Sequence, residues 1–485
     1  MGAALGSAWR LDASVDGFRG DDIPSPGDLY QPFPSRKDAE RLGGSLDLRG
    51  TLGRATTLVR AYRTDERSGS FNRPDGDRFI SFDGRTRTDG AQAQLTLPFG
   101  AHRLLIGSDL SRQRATSSRF TAANTRGAPF APDAEIRSLA AFAEGALSFA
   151  DDRVSATVGA RADRVTLALL STPFRPDVTG GDSDFTVITP SAGLRATLWP
   201  GVALHTSVGQ AFVAPDPFGR AGLAVQQGTG GVNVTVGNPA LDAERSTTVD
   251  VGLRVATTDG AFDGDVTYFA TDIRDRNVAA RATFTGATRP RLSDGAIVNR
   301  VDTRVNAGDA TIRGLEVRAR YDLLRAAGGA QSLALQITGT RLFRAREASP
   351  LVTVDGARFA NQTAFTPASV FTAAQLGASS VSDIRNVSDM VAAVGLEYDD
   401  RSRWTFGAYG RYVGERLDTD FSDFADISDI RYPRYATVDL MAALQVSARV
   451  RLQATVANAT DENIYEKRGF NLPGRNVAVR LVTRF

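Results

Sequence analysis

Arg449-Val450-Arg451-Leu452-Gln453-Ala454-Thr455-Val456 alternates without a break: Val450, Leu452, Ala454 and Val456 fall on one side, Arg449, Arg451, Gln453 and Thr455 on the other. A two-residue period is that of an extended strand with one apolar and one polar face. Just before it, Ser447-Ala448 marks a tight turn, and Val438, Leu440, Ala442 and Leu444 then oppose Thr437, Asp439 and Gln445. After it, Val477, Val479, Leu481 and Phe485 oppose Asn476, Arg480 and Arg484. The same pattern recurs at Trp404, Phe406, Ala408 and Tyr412, and at Val249, Val251, Leu253 and Val255. Helical apolar spacing is scarce throughout, so the chain reads as all-β.

Followed along all 485 residues, the alternation predicts 18 strands. They lie at about 8–17, 41–51, 54–64, 87–98, 101–113, 135–149, 153–165, 184–198, 201–211 and 244–258. The rest are at about 261–276, 311–323, 331–345, 388–398, 403–413, 434–446, 449–459 and 476–485. Most are longer than the roughly five or six residues of a soluble strand and suit the nine or more of a tilted membrane strand. Short turns such as Leu52-Gly53, Phe99-Gly100, Trp199-Pro200 and Asp259-Gly260 alternate with long excursions at 212–243, 277–310, 346–387 and 414–433. Outer-membrane barrels have this asymmetry, with short periplasmic turns and long outer loops.

A soluble β-sandwich or adhesin also alternates, and would stay folded without detergent. Against it stand the unbroken long–short rhythm, a terminal strand ending in Phe485, and the placement of aromatics. Trp9, Trp199 and Trp404 sit at short-turn ends with Phe99, Phe149, Tyr321, Tyr398 and Phe485; Tyr62, Tyr412 and Tyr435 lie at the opposite ends. Such belts form where amphipathic rings meet lipid headgroups. A closed barrel pairs every backbone group inside lipid, and its polar face turns arginines to the lumen. The expected architecture is a large antiparallel transmembrane up-and-down β-barrel over residues 1–485.

Composition removes several other classes. With 57 basic and 55 acidic residues the formal charge is +2, which gives no basic face for nucleic acid. There is no Cys, and His102 and His205 are the only imidazoles, so thiolate sites, His-rich metal sites and Ser–His catalysis lose their ligands or base. Gly228-Thr229-Gly230-Gly231 is no dinucleotide fingerprint and reads as a flexible loop. Neither a resident cofactor nor an enzymatic activity is expected. The most suggestive loop is 417–432, where Asp418, Asp420, Asp423, Asp426 and Asp429 interleave with Phe421, Phe424 and Tyr432. Carboxylates there suit a hard cation and the rings a bulky ligand, although a solvated acidic loop has the same composition.

Four blocks resemble the barrel of a TonB-dependent outer-membrane receptor. They are Gln210-Ala211-Phe212-Val213-Ala214-Pro215 with Gly237-Asn238-Pro239-Ala240-Leu241 and Glu244-Arg245-Ser246; Val305-Asn306-Ala307-Gly308 with Ile312-Arg313-Gly314-Leu315-Glu316; Gly407 to Glu415; and Ala457-Asn458-Ala459-Thr460-Asp461-Glu462-Asn463-Ile464-Tyr465 with Pro473-Gly474-Arg475 and Arg484-Phe485. The resemblance implies uptake of a scarce bulky solute: a ferric siderophore, haem, cobalamin or a glycan. It implies outer-membrane lipid and lipopolysaccharide as surroundings, with Phe485 as the signal read by the barrel-assembly machinery. Family members also carry a signal peptide, a TonB-contacting segment and a plug ahead of the barrel, and 22 strands. The sequence shows none of those leading parts, so TonB is expected as a partner only if a plug is supplied. The missing strands are expected to be lost with it or concealed in 277–310 and 346–387. The rival from another class is an ungated porin with an arginine-lined lumen.

Overall fold

The computed structural model describes residues 2–24, 36–71, 78–178, 180–377, 380–420, 428–467 and 470–483. The chain runs as a meander through β1 (Gly2–Leu5), β2 (Trp9–Pro24), β3 (Arg36–Leu52), β4 (Ala55–Phe71), β5 (Ile80–Phe99) and β6 (His102–Ala122). After the small β7 (Thr125–Gly127) come β8 (Ala134–Phe149), β9 (Val154–Leu169), β10 (Gly181–Trp199) and β11 (Val202–Val213). A loop hairpin, β12 (Leu223–Gly228) and β13 (Gly231–Val236), precedes β14 (Glu244–Ala256), β15 (Phe262–Thr285), β16 (Val298–Asp322) and β17 (Ser332–Ser349). Next are β18 (Leu351–Asp355), β19 (Ser380–Asp383), β20 (Met390–Asp399), β21 (Trp404–Val413), and the hairpin of β22 (Arg416–Asp420) with β23 (Ser428–Tyr432). β24 (Tyr435–Ser447), β25 (Val450–Ala457), β26 (Tyr465–Lys467), β27 (Phe470–Asn471) and β28 (Asn476–Thr483) complete the chain.

All 18 expected strands are present, each hydrogen-bonded antiparallel to its neighbour in the meander. The four-residue β1 adds another rung, against Trp9–Asp12 of β2. Among the described residues β1 and β28 are not paired with each other. Among the described residues the excursions 277–310 and 346–387 conceal no further rungs of this ladder. Instead β15 and β16 run on for 24 and 25 residues, β18 attaches to the far end of β15, and β19 attaches to β17. The glycine-rich stretch 228–231, expected to be a flexible loop, is the turn of the β12–β13 hairpin, with Gly230 at φ 68°.

Alternation sorts the two faces as expected. Val477, Val479 and Leu481 of β28 are 68%, 68% and 63% exposed, and they lie in register with Val456, Ala454 and Leu452. The outward row continues through Leu440 and Leu444, then Trp404 and Phe406. So much bare apolar surface is excessive for water, and lipid covers it. Among the described residues no helix is long and apolar enough to cross a membrane. The near aromatic belt is real: Phe99 and Phe149 flank His102 at ring distances of 5.4 and 5.5 Å, and Trp404 stacks on Phe406 at 5.6 Å. The far belt is thinner than expected. Tyr62 lies in register with Ser45 and Gly90, and Tyr435 packs with Val413 and Ile464, so both rings point inward.

The inner face is polar and paired. Arg60 grips Asp47 through two hydrogen bonds of 2.6 and 2.7 Å, Arg161 bridges Asp109 and Asp163, and His205 meets Asp265 at 3.0 Å. Among the described residues the barrel thus has no apolar centre. The largest cluster of buried apolar side chains lies beyond it, in the long loops, where Val232, Val234, Ala280, Ala282, Phe284, Val298, Val301 and Phe359 close together.

Candidate functional site: the loop assembly

Long-loop segments from four connections are tied into one body. Extended β15 and β16 form its floor, with β13 added in parallel to β16 and β18 in parallel to β15. Their alternating valines and alanines turn one side to the cluster around Phe284, whose ring meets those of Phe359 and Phe365 at 5.2 and 6.0 Å. Thr366 caps the following short helix, its side chain and that of Ser369 satisfying each other's backbone N–H groups.

The signature residues are braces of this body. Asn306 Nδ2 donates to the carbonyls of Asp242 and Asp275 and to Asn277 Oδ1, while its Oδ1 accepts from Asp242 N. Asn238 Nδ2 donates to Arg304 O at 2.9 Å, and Glu244 accepts from Asn277 N at 2.9 Å. The two blocks, some 60 positions apart in sequence, are therefore one hydrogen-bonded joint. A second joint centres on Asn458, which bonds Asp439 and Glu462. A third is Arg175, buried in the 170–180 loop. It donates to Pro129 O, Phe130 O and Ala221 O and pairs with Asp177 at 2.7 Å. The Arg175 guanidinium holds the Asp177 carboxyl below the usual carboxylate range.

The residues singled out in 417–432 divide. Asp418 and Tyr432 are buried: Asp418 faces Lys467 at 3.7 Å, and Tyr432 lies under the Arg416 guanidinium and edge-on to Tyr465. They hold the β22–β23 hairpin to the loop before β28. Asp420 ends β22, while Phe421, Asp423, Phe424 and Phe485 lie outside the described residues. No group of three or more His, Asp or Glu placed to hold a metal occurs among the described residues.

What the sequence alone did not reveal is a cavity of about 570 Å³ between this hairpin and the floor. Arg276, Arg281, Arg300, Arg304 and Arg385 line it, against the carboxylates of Glu347 and Asp429. Arg281 and Arg300 share Asp302, Arg276 pairs with Glu347, and Arg385 pairs with Asp429 at 2.8 Å. Arg304 has no ion pair among the described residues. Thr419 and Asp429 bring the predicted loop to this cavity, through residues other than the ones it was singled out for. A second cleft, of about 740 Å³, opens between the 170–180 loop, the β12–β13 hairpin and Phe365, with Leu223, Val225 and Val236 on its wall.

The TonB dependent receptor-like β-barrel family matches residues 3–459. Among solved structures, the copper transporter OprC superposes with a TM-score of 0.72 at 16% identity, covering 100% of this chain and 70% of that one. A mutant of the Serratia marcescens hemophore receptor HasR, bound to its hemophore and heme, gives 0.71 at 18%, with 100% and 70% covered. A mutant of the ferric enterobactin receptor PfeA of Pseudomonas aeruginosa gives 0.70 at 16%, with 99% and 68% covered. No curated protein matches the chain by sequence. At these identities the structures establish a shared fold, and the match over nearly the whole chain establishes the lineage: the chain belongs to the TonB-dependent receptor family, as an outer-membrane β-barrel and not an enzyme.

Proposed function

We propose that the chain is the barrel of a receptor-transporter for a bulky anionic solute, with a ferric siderophore of the catecholate type as the favoured class. The observation that carries this is the five-arginine cavity, whose arginines outnumber Glu347, Asp429 and the Asp302 that Arg281 and Arg300 share, with Arg304 in no ion pair among the described residues. Guanidinium forks bind oxyanions and phenolates bidentately and keep their charge at any working pH. Two of the superposed structures are receptors for an iron-bearing ligand, heme with its hemophore and ferric enterobactin. In this reading the loops hold the solute, and TonB supplies the energy for its passage in the whole receptor.

Calorimetric titration of the refolded chain with a ferric tricatecholate, haem, cobalamin and a neutral oligosaccharide tests it. The ferric tricatecholate is expected to bind best, and R281A/R300A/R304A to weaken it by about tenfold or more, one charge-assisted contact alone being worth roughly that. Tighter binding of haem, cobalamin or the oligosaccharide would overturn the anionic assignment. Conductance without binding of any solute would favour the porin.

A further inference from the structure

Beyond the bilayer, β12, β13, β16, β15 and β18 lie side by side in that order as one sheet of the loop body. Its two faces differ in chemistry, because successive residues of a strand point opposite ways. One face carries Gln226, Arg281, Arg300 and Arg304 and lines the arginine cavity. The other carries Val232, Val234, Ala280, Ala282, Val298 and Val301, none more than 2% exposed where Phe359, Phe365 and Phe371 pack over them. That cover stops short of the edge strand. Leu223 and Val225 of β12 lie in register with Val236 and Val234 on the same face, yet they are 38% and 43% exposed. Together with Leu292 and Phe365 they line the cleft of about 740 Å³. Among the described residues β12 is paired with β13 alone, so no strand closes its outer edge. Two neighbours on this one strand, Val225 and Gln226, thus face the apolar cleft and the arginine cavity respectively.

We propose that the cleft takes an apolar tail of the same solute whose anionic head enters the arginine cavity, so that the ligand is an acylated, amphiphilic ferric chelate. The inference rests on the anionic reading given above and adds to it the second half of the molecule. The two subsites lie on opposite faces of one sheet, which with its side chains is roughly 10 Å through, and a chain passing around the free edge of β12 joins them. Their chemistry separates the roles. In the cleft the charged groups are already engaged: Asp177 with Arg175 at 2.7 Å, Asp182 with Arg137 at 2.9 Å, Asp294 with the N–H of Ala296, and Arg220 with the carbonyl of Leu241. What remains there for a ligand is hydrocarbon. Its volume falls within the roughly 300–1,000 Å³ of small-molecule pockets. Leu223 and Val225 meet water at this height, where the outward rows of the barrel meet lipid, and covering them with an alkyl chain is favourable in proportion to the area removed from water. Across the sheet, Arg304 has no ion pair among the described residues, which keeps the charged head on that side.

The test titrates the full chain, refolded in one detergent at one concentration, with a ferric tricatecholate and with the same chelate carrying a single octanoyl chain. Uptake of the octanoyl chelate by micelles is measured without protein, and affinities refer to the chelate left free. Wild type is expected to bind the octanoyl chelate about tenfold or more tighter than the bare one, since each buried methylene gives roughly fourfold. Val225→Asp puts a carboxylate in the cleft and leaves the arginines untouched. It is expected to lose that gain while holding the bare chelate as the wild type does. R281A/R300A/R304A is expected to weaken both chelates by the same factor. Equal affinity of wild type for the two chelates overturns the tail site and leaves the anionic reading standing. A gain that survives in Val225→Asp assigns the tail to the barrel surface and likewise overturns the cleft. If wild type binds no bare chelate, the anionic reading fails and the inference fails with it. Should Val225→Asp lose the bare chelate as well, its loop body has not formed, and Leu223→Asp decides by the same comparison.

Discussion

Arg175 and Asn306 between them tie the connections of β6–β8, β9–β10 and β11–β14 to one another and to β15 and β16, and each does so through several hydrogen bonds from one side chain. Removing a buried charged donor strands every acceptor it served, at about 1–3 kcal/mol for each unsatisfied group. Arg175→Ala is therefore expected to destabilise the loops by about 3 kcal/mol. It should appear as faster amide exchange and proteolysis at 170–180 and 214–222, with exchange in β24 and β25 unchanged. Asp400 is a different case, a single turn residue between β20 and β21 whose carboxylate accepts from the N–H groups of Ser402, Arg403 and Trp404 at 2.7–2.9 Å. Those bonds hold its pKa down to about 2. A folded-state value below the unfolded one means that the stabilisation is present above about pH 4 and is lost as the pH falls toward 2. Asp400→Asn should accordingly lower the urea midpoint at pH 7 and match the wild type near pH 2.

At the scale of the element, the facing of each strand decides what a substitution does. Val251 sits outward in the middle of β14, 46% exposed, between Val249 and Leu253. Val251→Arg should cost about 2–4 kcal/mol of folding free energy in lipid vesicles. Ser207→Arg, on the inner face beside Asp250, should fold nearly as well as the wild type. This same alternation is why the strands could be read from sequence: lipid on one side and water on the other impose opposite chemistry on successive residues. β1 escaped because Ala3, Ala4 and Leu5 do not alternate in polarity. The far halves of β15 and β16 escaped because, past the bilayer, what covers them is neither lipid nor water but other loops. Tyr62 was placed on the wrong face although the period was plain. Its ring crosses Gly90, where a Cβ would come within 2.2 Å of it, and only the pairing register shows that. The arginine cavity was equally hidden, since its members come from β15, β16 and the 384–389 connection and are gathered only by the fold.

For the whole molecule, the sheet and the loop body are stabilised by different solvents, one by hydrocarbon around it and the other by apolar burial away from water. Phe284→Ala removes a ring packed against Phe359 and Phe365 and should cost the loop body about 3–5 kcal/mol. Solute binding should then be lost while the sheet still resists SDS at room temperature and migrates on a gel as the wild type does. The neighbouring structures have the same overall path at 14–18% identity, as expected when a barrel asks only for alternation and leaves its loops free to diverge.

The dry cluster around Phe284 lies on the same strands as a belt that must be wetted by amphiphile in every preparation. A short-chain detergent reaches both, and the loop cluster, held by apolar burial alone where the sheet is held by its hydrogen-bonded ladder, is expected to yield to it first. Harsh extraction would then deliver a sample that passes every check on its β-content and yet is deaf to its solute, so receptor screens need a loop-specific control before a negative result is believed.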